Sequence, residues 1–104
     1  MTEYNPIFDT ALSVYIRKAT DIAWKKKKAV CLVRDYLVNK KFLRLDLYED
    51  GYRFGIHSFV ELSTGNVYKA KTAKSPEKKY IRGNIYDEWN GCKNMGSYGP
   101  VYSR

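Results

Sequence analysis

The chain has one histidine, two cysteines and three prolines among 104 residues, and each scarcity excludes something. A lone His57, with Cys31 and Cys92 far apart, gives no ligand spacing for zinc, and two distant cysteines do not form a disulfide framework. Cys31 sits in an apolar run and reads as a small buried residue, with both thiols free. No apolar stretch approaches membrane-spanning length, and the opening MTEYNP lacks a basic-then-apolar leader. The expected location is therefore cytoplasmic, without a membrane partner. Acidic residues are also few. Eleven Asp and Glu face nineteen Lys and Arg, a formal charge of +8 that favours polyanions or an acidic protein surface. No P-loop, dinucleotide glycine motif, serine elbow or calcium-loop spacing occurs, so no cofactor is expected. His57 stands beside Ser58, and alternation along a strand sends neighbouring side chains to opposite faces. No nucleophile–base pair is expected there, and the chain reads as a non-enzyme.

What is abundant is tyrosine, with ten copies, within a hydrophobic content of 44% that suits a folded protein. Asn5-Pro6 has the chemistry of a helix start. Phe8, Leu12, Tyr15, Ala19, Ile22 and Ala23 then recur at helical spacing up to Trp24. After the charge run Lys25 to Lys28, the residues Ala29, Val30, Leu32, Val33, Tyr36 and Leu37 again fit a helical face, as a second helix or as the continuation of one long bent helix over 6–40. From Phe42 the period becomes two: Leu43, Leu45 and Leu47 alternate with Arg44, Asp46 and Tyr48. Asp50-Gly51 is a hairpin signal, and Gly55 on the return strand marks a bulge or a close approach. Ser63 to Asn66 is a second turn. Val67 to Ala70 reads as a third strand, KTAKSPEKK as a basic loop turned by Ser75-Pro76, and Tyr80 to Tyr86 as a fourth strand. A Gly-rich loop and an extended piece, Val101 to Arg104, close the chain.

The expected fold is α+β: two N-terminal helices packed on an antiparallel meander of four to five strands. It forms a single domain over 1–104, with 1–40 helical and 41–104 holding the sheet and C-terminal loop. The helical stripe could also support a homodimer.

Candidate binding residues concentrate after position 68. Lys69, Lys71, Lys74, Lys78, Lys79 and Arg82 place six cations within fourteen residues, flanked by Tyr68 and Tyr80. Lysines meeting phosphates beside rings that stack bases is the chemistry of single-stranded nucleic-acid binding. A solubilising loop explains the same charges. In Arg82-Gly83-Asn84 the guanidinium offers a fork for phosphate, Gly83 lets the backbone approach a ligand, and Asn84 can read a base or bond a neighbouring backbone. Tyr98 and Arg104 could close a pocket against Arg82. The lysines at 25–28 form a second, weaker patch.

The stretch FVELSTGNVYKAKTAKSPEKKYIRGNIYD, with GSYGPVYSR after it, resembles small accessory proteins of tailed bacteriophages. Their C-terminal halves share a TG(N/D)V.KA hairpin, an RGNI(Y/F)D step and a final YG..Y.R. The resemblance covers about 58–104 and transfers no catalytic residue. It implies a viral protein acting in the host bacterial cytoplasm. Such a protein would bind nucleic acid or a nucleotide, or block a host or defence enzyme such as a nuclease. A virion component is a third reading.

Overall fold

The computed structural model describes residues 6–38, 41–72, 75–93, 95–96 and 99–100. The expected cap at Asn5 lies outside them. Helix α1, Pro6–Lys27, opens on proline at its first position, where a missing N–H costs nothing, and carries Asp9 in its first turn. Its apolar stripe is Phe8, Leu12, Tyr15, Ala19 and Ala23, all buried. The helix runs one turn past Trp24 and ends where Lys28 adopts a left-handed backbone, φ 57°, with its N–H donated to the Trp24 carbonyl at 3.1 Å.

The second expected helix is a strand. Residues Val30–Val38 form β1, which pairs antiparallel with β2, Phe42–Glu49. The apolar set there fits either period. The β-branched Val30, Val33 and Val38 favour a pleated strand, and the left-handed Lys28 interrupts helix propagation. Strand β3, Tyr52–Glu61, returns from β2 through Asp50 and Gly51, both at positive φ (53° and 82°), as a two-residue hairpin of the type I′ kind requires. Strand β4, Asn66–Thr72, follows. The expected basic loop contains a short edge strand, β5 (Ser75–Glu77), with Pro76 opposite Ala70. Of the expected strand at 80–86, the paired strand is β6, Gly83–Asn84, opposite Asn66 and Val67. A small hairpin of β7, Met95–Gly96, and β8, Gly99–Pro100, completes the described chain. The sheet order is β1-β2-β3-β4-β5, with β6 also on β4. The architecture is α+β with one helix, and no helix among the described residues is long and apolar enough to cross a membrane.

One sheet face meets α1, where Tyr15, Ala19 and Ala23 pack with Cys31, Leu43, Leu45, Leu47, Val60, Val67 and Ile85. The other face has a smaller core of Phe42, Phe59 and Tyr68, flanked by Ile56 and Ala70. Arg44 and Asp46 are both buried, with Arg44 Nε 2.9 Å from Asp46 Oδ1 and Nη2 donating to Oδ2 at 3.2 Å. Arg53 Nε reaches Oδ2 of the same carboxylate at 4.0 Å.

Candidate nucleic-acid interface

Strands β4 and β5 form one margin of the sheet, and most of the sequence-selected cations stand along it. Lys69 is opposite Glu77 in the register, half-buried, and Lys71 is exposed two residues further on. The Glu77 carboxylate accepts the backbone N–H of Lys79 at 3.0 Å, which closes the turn after β5. This holds Lys78 and Lys79 outward, both exposed. Lys78 Nζ lies 6.0 Å from the Phe42 ring centroid and Lys79 Nζ 5.5 Å from that of Tyr80. The Arg82 guanidinium sits 5.4 Å from the same Tyr80 centroid, so two cations share one aromatic ring that is 42% exposed. Among the described residues, no carboxylate pairs with Lys69, Lys71, Lys78 or Lys79; the ion pairs found are those on Asp46.

The Arg82-Gly83-Asn84 step is built into the fold. Arg82 is buried and its N–H donates to the Val67 carbonyl at 2.7 Å. A Cβ on Gly83 would lie 2.9 Å from the Gly91 carbonyl oxygen, so the close approach that glycine permits is to the chain's own backbone. The Asn84 amide donates to the Thr64 carbonyl and to Asn66 Oδ1, both at 2.9 Å, and its oxygen accepts the Tyr86 N–H at 2.8 Å. Asn84 thereby ties the turn before β4 to the segment after β6. Lys74, Tyr98 and Arg104 lie outside the described residues. The structure thus brings Lys69, Lys71, Tyr80 and Arg82 to one margin, with Lys78 and Lys79 beside them.

Sequence reasoning missed a polar cluster beneath α1. Pairing of β2 with β3 slips between Leu45 and Asp46: Leu45 is opposite Ser58 and Asp46 opposite Ile56, leaving His57 as an extra residue. The bulge overturns the expected alternation. His57 Nδ1 is 2.8 Å from Ser58 Oγ, which is 2.5 Å from the Tyr15 hydroxyl, and all three residues are buried. Burial pushes the Tyr15 phenol up and lowers His57 to about 4, so the imidazole is neutral near pH 7. Tyr15 OH has one partner among the described residues. A chain in which Tyr15 donates to Ser58 and Ser58 to Nδ1, with the ring proton on Nε2, therefore uses both hydroxyl protons. The enclosure of all three groups suits a structural clamp between helix and sheet. The signal in the sequence is a break of alternation: Phe59 and Val60 are adjacent apolar residues after the spaced Tyr52, Phe54 and Ile56.

Both cysteines are free thiols, and burial raises each to about 11. No group of three or more His, Cys, Asp or Glu among the described residues is placed to hold a metal.

No curated protein and no solved structure matches the chain. A family model does match, over residues 8–98, which includes α1 from Phe8 onward, the whole meander and the Arg82-Gly83-Asn84 step. The chain belongs to that family of unknown function, DUF7717.

Proposed function

We propose that the chain is a non-enzymatic binding protein that takes a phosphate-bearing ligand, single-stranded nucleic acid, along the β4–β5 margin. One observation carries this reading: the half-exposed Tyr80 ring, with Lys79 and Arg82 over it, beside the exposed Lys71 and Lys78. Lysines without carboxylate partners among the described residues are available to phosphates, and the part of the Tyr80 ring open to solvent offers surface on which a base can stack. Arg82 acts as a buried charge against the Tyr80 ring that strengthens the local positive potential. The resemblance to bacteriophage proteins supports a role in the cytoplasm of an infected bacterium.

The test is equilibrium binding of a fluorescent oligothymidine at several salt concentrations. With about four phosphates neutralised, the log–log slope is roughly −3. Replacing Lys71, Lys78 and Lys79 together by glutamate should abolish binding at moderate salt, and Tyr80→Ala should cost about 1–3 kcal/mol if one base stacks there. A flat salt response excludes nucleic acid.

A second reading, an inhibitor of a host or defence enzyme, is favoured by an apolar groove of about 490 Å³ along the first turns of α1. It is lined by Pro6, Ile7, Ala11, Val14, Ile85 and Tyr86, with Ile7 73% exposed. Apolar exposure of this kind suits a protein partner. Nuclease treatment of a lysate before pull-down separates the readings, because only the first loses its ligand.

A further inference from the structure

At the opposite edge of the sheet, the end of α1 and the tip of the β2–β3 hairpin face each other across a cleft of about 470 Å³. Its walls include Trp24, Lys28, Val30, Leu32, Tyr48 and Asp50. Trp24 and Leu32 each leave about half their surface open, 49% in both cases, which is unusual for large apolar side chains flanking one concavity. The backbone fixes both ends. Lys28 is held left-handed where the helix stops, and Asp50 is held left-handed in the hairpin turn, so a cation and a carboxylate are set on facing rims. Lys28 Nζ lies 5.6 Å from the Trp24 ring centroid, placing the charge at the aromatic wall. No ion pair links Lys28 to Asp50 among the described residues. Lys25, also exposed, adds positive charge at the last turn of α1.

We infer that this cleft binds a purine mononucleotide. The volume falls in the range of small-ligand sites, about 300–1,000 Å³. The aromatic and aliphatic walls of Trp24, Tyr48 and Leu32 suit a flat base, and a purine presents the larger π-face. Lys28 complements the phosphate, as a charge-assisted contact at the aromatic wall. The Asp50 carboxylate can accept only N–H or O–H donors, which the base edge or the ribose hydroxyls supply. Charge, aromaticity and size thus match the three parts of one ligand. The site is independent of the β4–β5 margin, being on the other edge of the sheet.

Trp24 is also the natural reporter. The chain has two tryptophans, so Trp89→Phe leaves Trp24 as the sole emitter. Titration of that variant with AMP and with GMP, excited at the red edge of the tryptophan band and corrected for absorption, should give saturable quenching with at least one of them. Lys28→Asn, which keeps a residue tolerant of the left-handed backbone, should weaken binding about tenfold or more, and ribose 5-phosphate should not saturate. Calorimetry on the wild-type chain repeats the measurement without the Trp89 change. The triple glutamate variant at 71, 78 and 79 should bind the mononucleotide as the wild type does, even though it no longer binds oligothymidine. Quenching that rises linearly with either nucleotide, equal binding of ribose 5-phosphate, or an unchanged constant in Lys28→Asn would each overturn the assignment.

Discussion

Replacing Ser58 by alanine should destabilise the fold more than a hydroxyl deletion ordinarily does, and a second substitution should then restore part of the loss. Ser58 Oγ is the middle atom of a buried line, 2.5 Å from the Tyr15 hydroxyl and 2.8 Å from His57 Nδ1. Ser58→Ala strands both neighbours where water cannot reach them. A buried polar group left without its partner costs about 1–3 kcal/mol, so the two together cost roughly 2–6 kcal/mol. Tyr15→Phe in the wild type removes only the terminal donor and leaves the Ser58–His57 bond in place, costing about 0.5–1.5 kcal/mol. In the Ser58→Ala background the same change deletes a stranded hydroxyl and should recover about 1–3 kcal/mol. The sign of the Tyr15→Phe effect therefore reverses between backgrounds. Equilibrium urea unfolding of the four proteins measures this, because a domain of this size holds about 5–15 kcal/mol in total and each variant keeps a resolvable transition. If Tyr15→Phe costs the same in both backgrounds to within about 0.5 kcal/mol, the three groups are not one network and the reasoning fails.

Other outcomes follow from the same geometry. Because burial holds His57 at about 4 against its ordinary 6.5, the unfolded chain takes up a proton between those values while the folded chain does not. Stability from this source is full above about pH 6.5 and is lost as pH falls toward 4, by about 3 kcal/mol. The drop in urea midpoint between pH 7 and 4.5 should accordingly be smaller in His57→Asn, whose amide oxygen still accepts from Ser58. Asp46→Ala removes the carboxylate paired with the buried Arg44 guanidinium and should cost about 3–5 kcal/mol, whereas Arg44→Met with Asp46→Leu should cost far less, both read by denaturant midpoints. Gly91→Ala forces a Cβ to 2.9 Å from the Tyr15 ring at φ 82° and should cost more than 1 kcal/mol, while Gly55→Ala, with open space around it, should change stability by no more than about 0.5 kcal/mol in thermal melts.

The parts of the fold that were legible in the sequence are those where one local signal dominates. The spacing of Phe8, Leu12, Tyr15, Ala19 and Ala23 admits one helical face, and Asp50-Gly51 admits few turns. Residues 29–37 were illegible because their apolar positions satisfy both periods. The decision came from a pairing partner, β2, that a local reading cannot weigh. Pro76 reads as a turn, but a proline is tolerated at a sheet margin where its missing N–H removes no needed bond. The cationic margin was visible as composition, since charge has to be solvated. The sequence could not show that Arg82 is buried, bonded to Val67, or that Gly83 is reserved for Gly91, because both depend on contacts between separate segments. The His57–Ser58 pair was hidden by the assumption of unbroken alternation.

That break has a partner. Strand β3 slips against β2 twice, once around Phe54 and once at His57. Each slip exchanges the inward and outward sides of everything beyond it, so two slips restore the original parity. Arg53, before the first, reaches Asp46 on the face away from α1, and Phe59, after the second, packs on that same face with Phe42 and Tyr68. The faces themselves are set by the β2 partners, so losing the surplus residue at a slip, Phe54 or His57, restores plain alternation and leaves Phe59 opposite Arg44 and Val60 opposite Leu43. Each slip is thus a place where β3 can shed one residue without re-addressing either core, and at the second slip the only casualty is the His57 clamp.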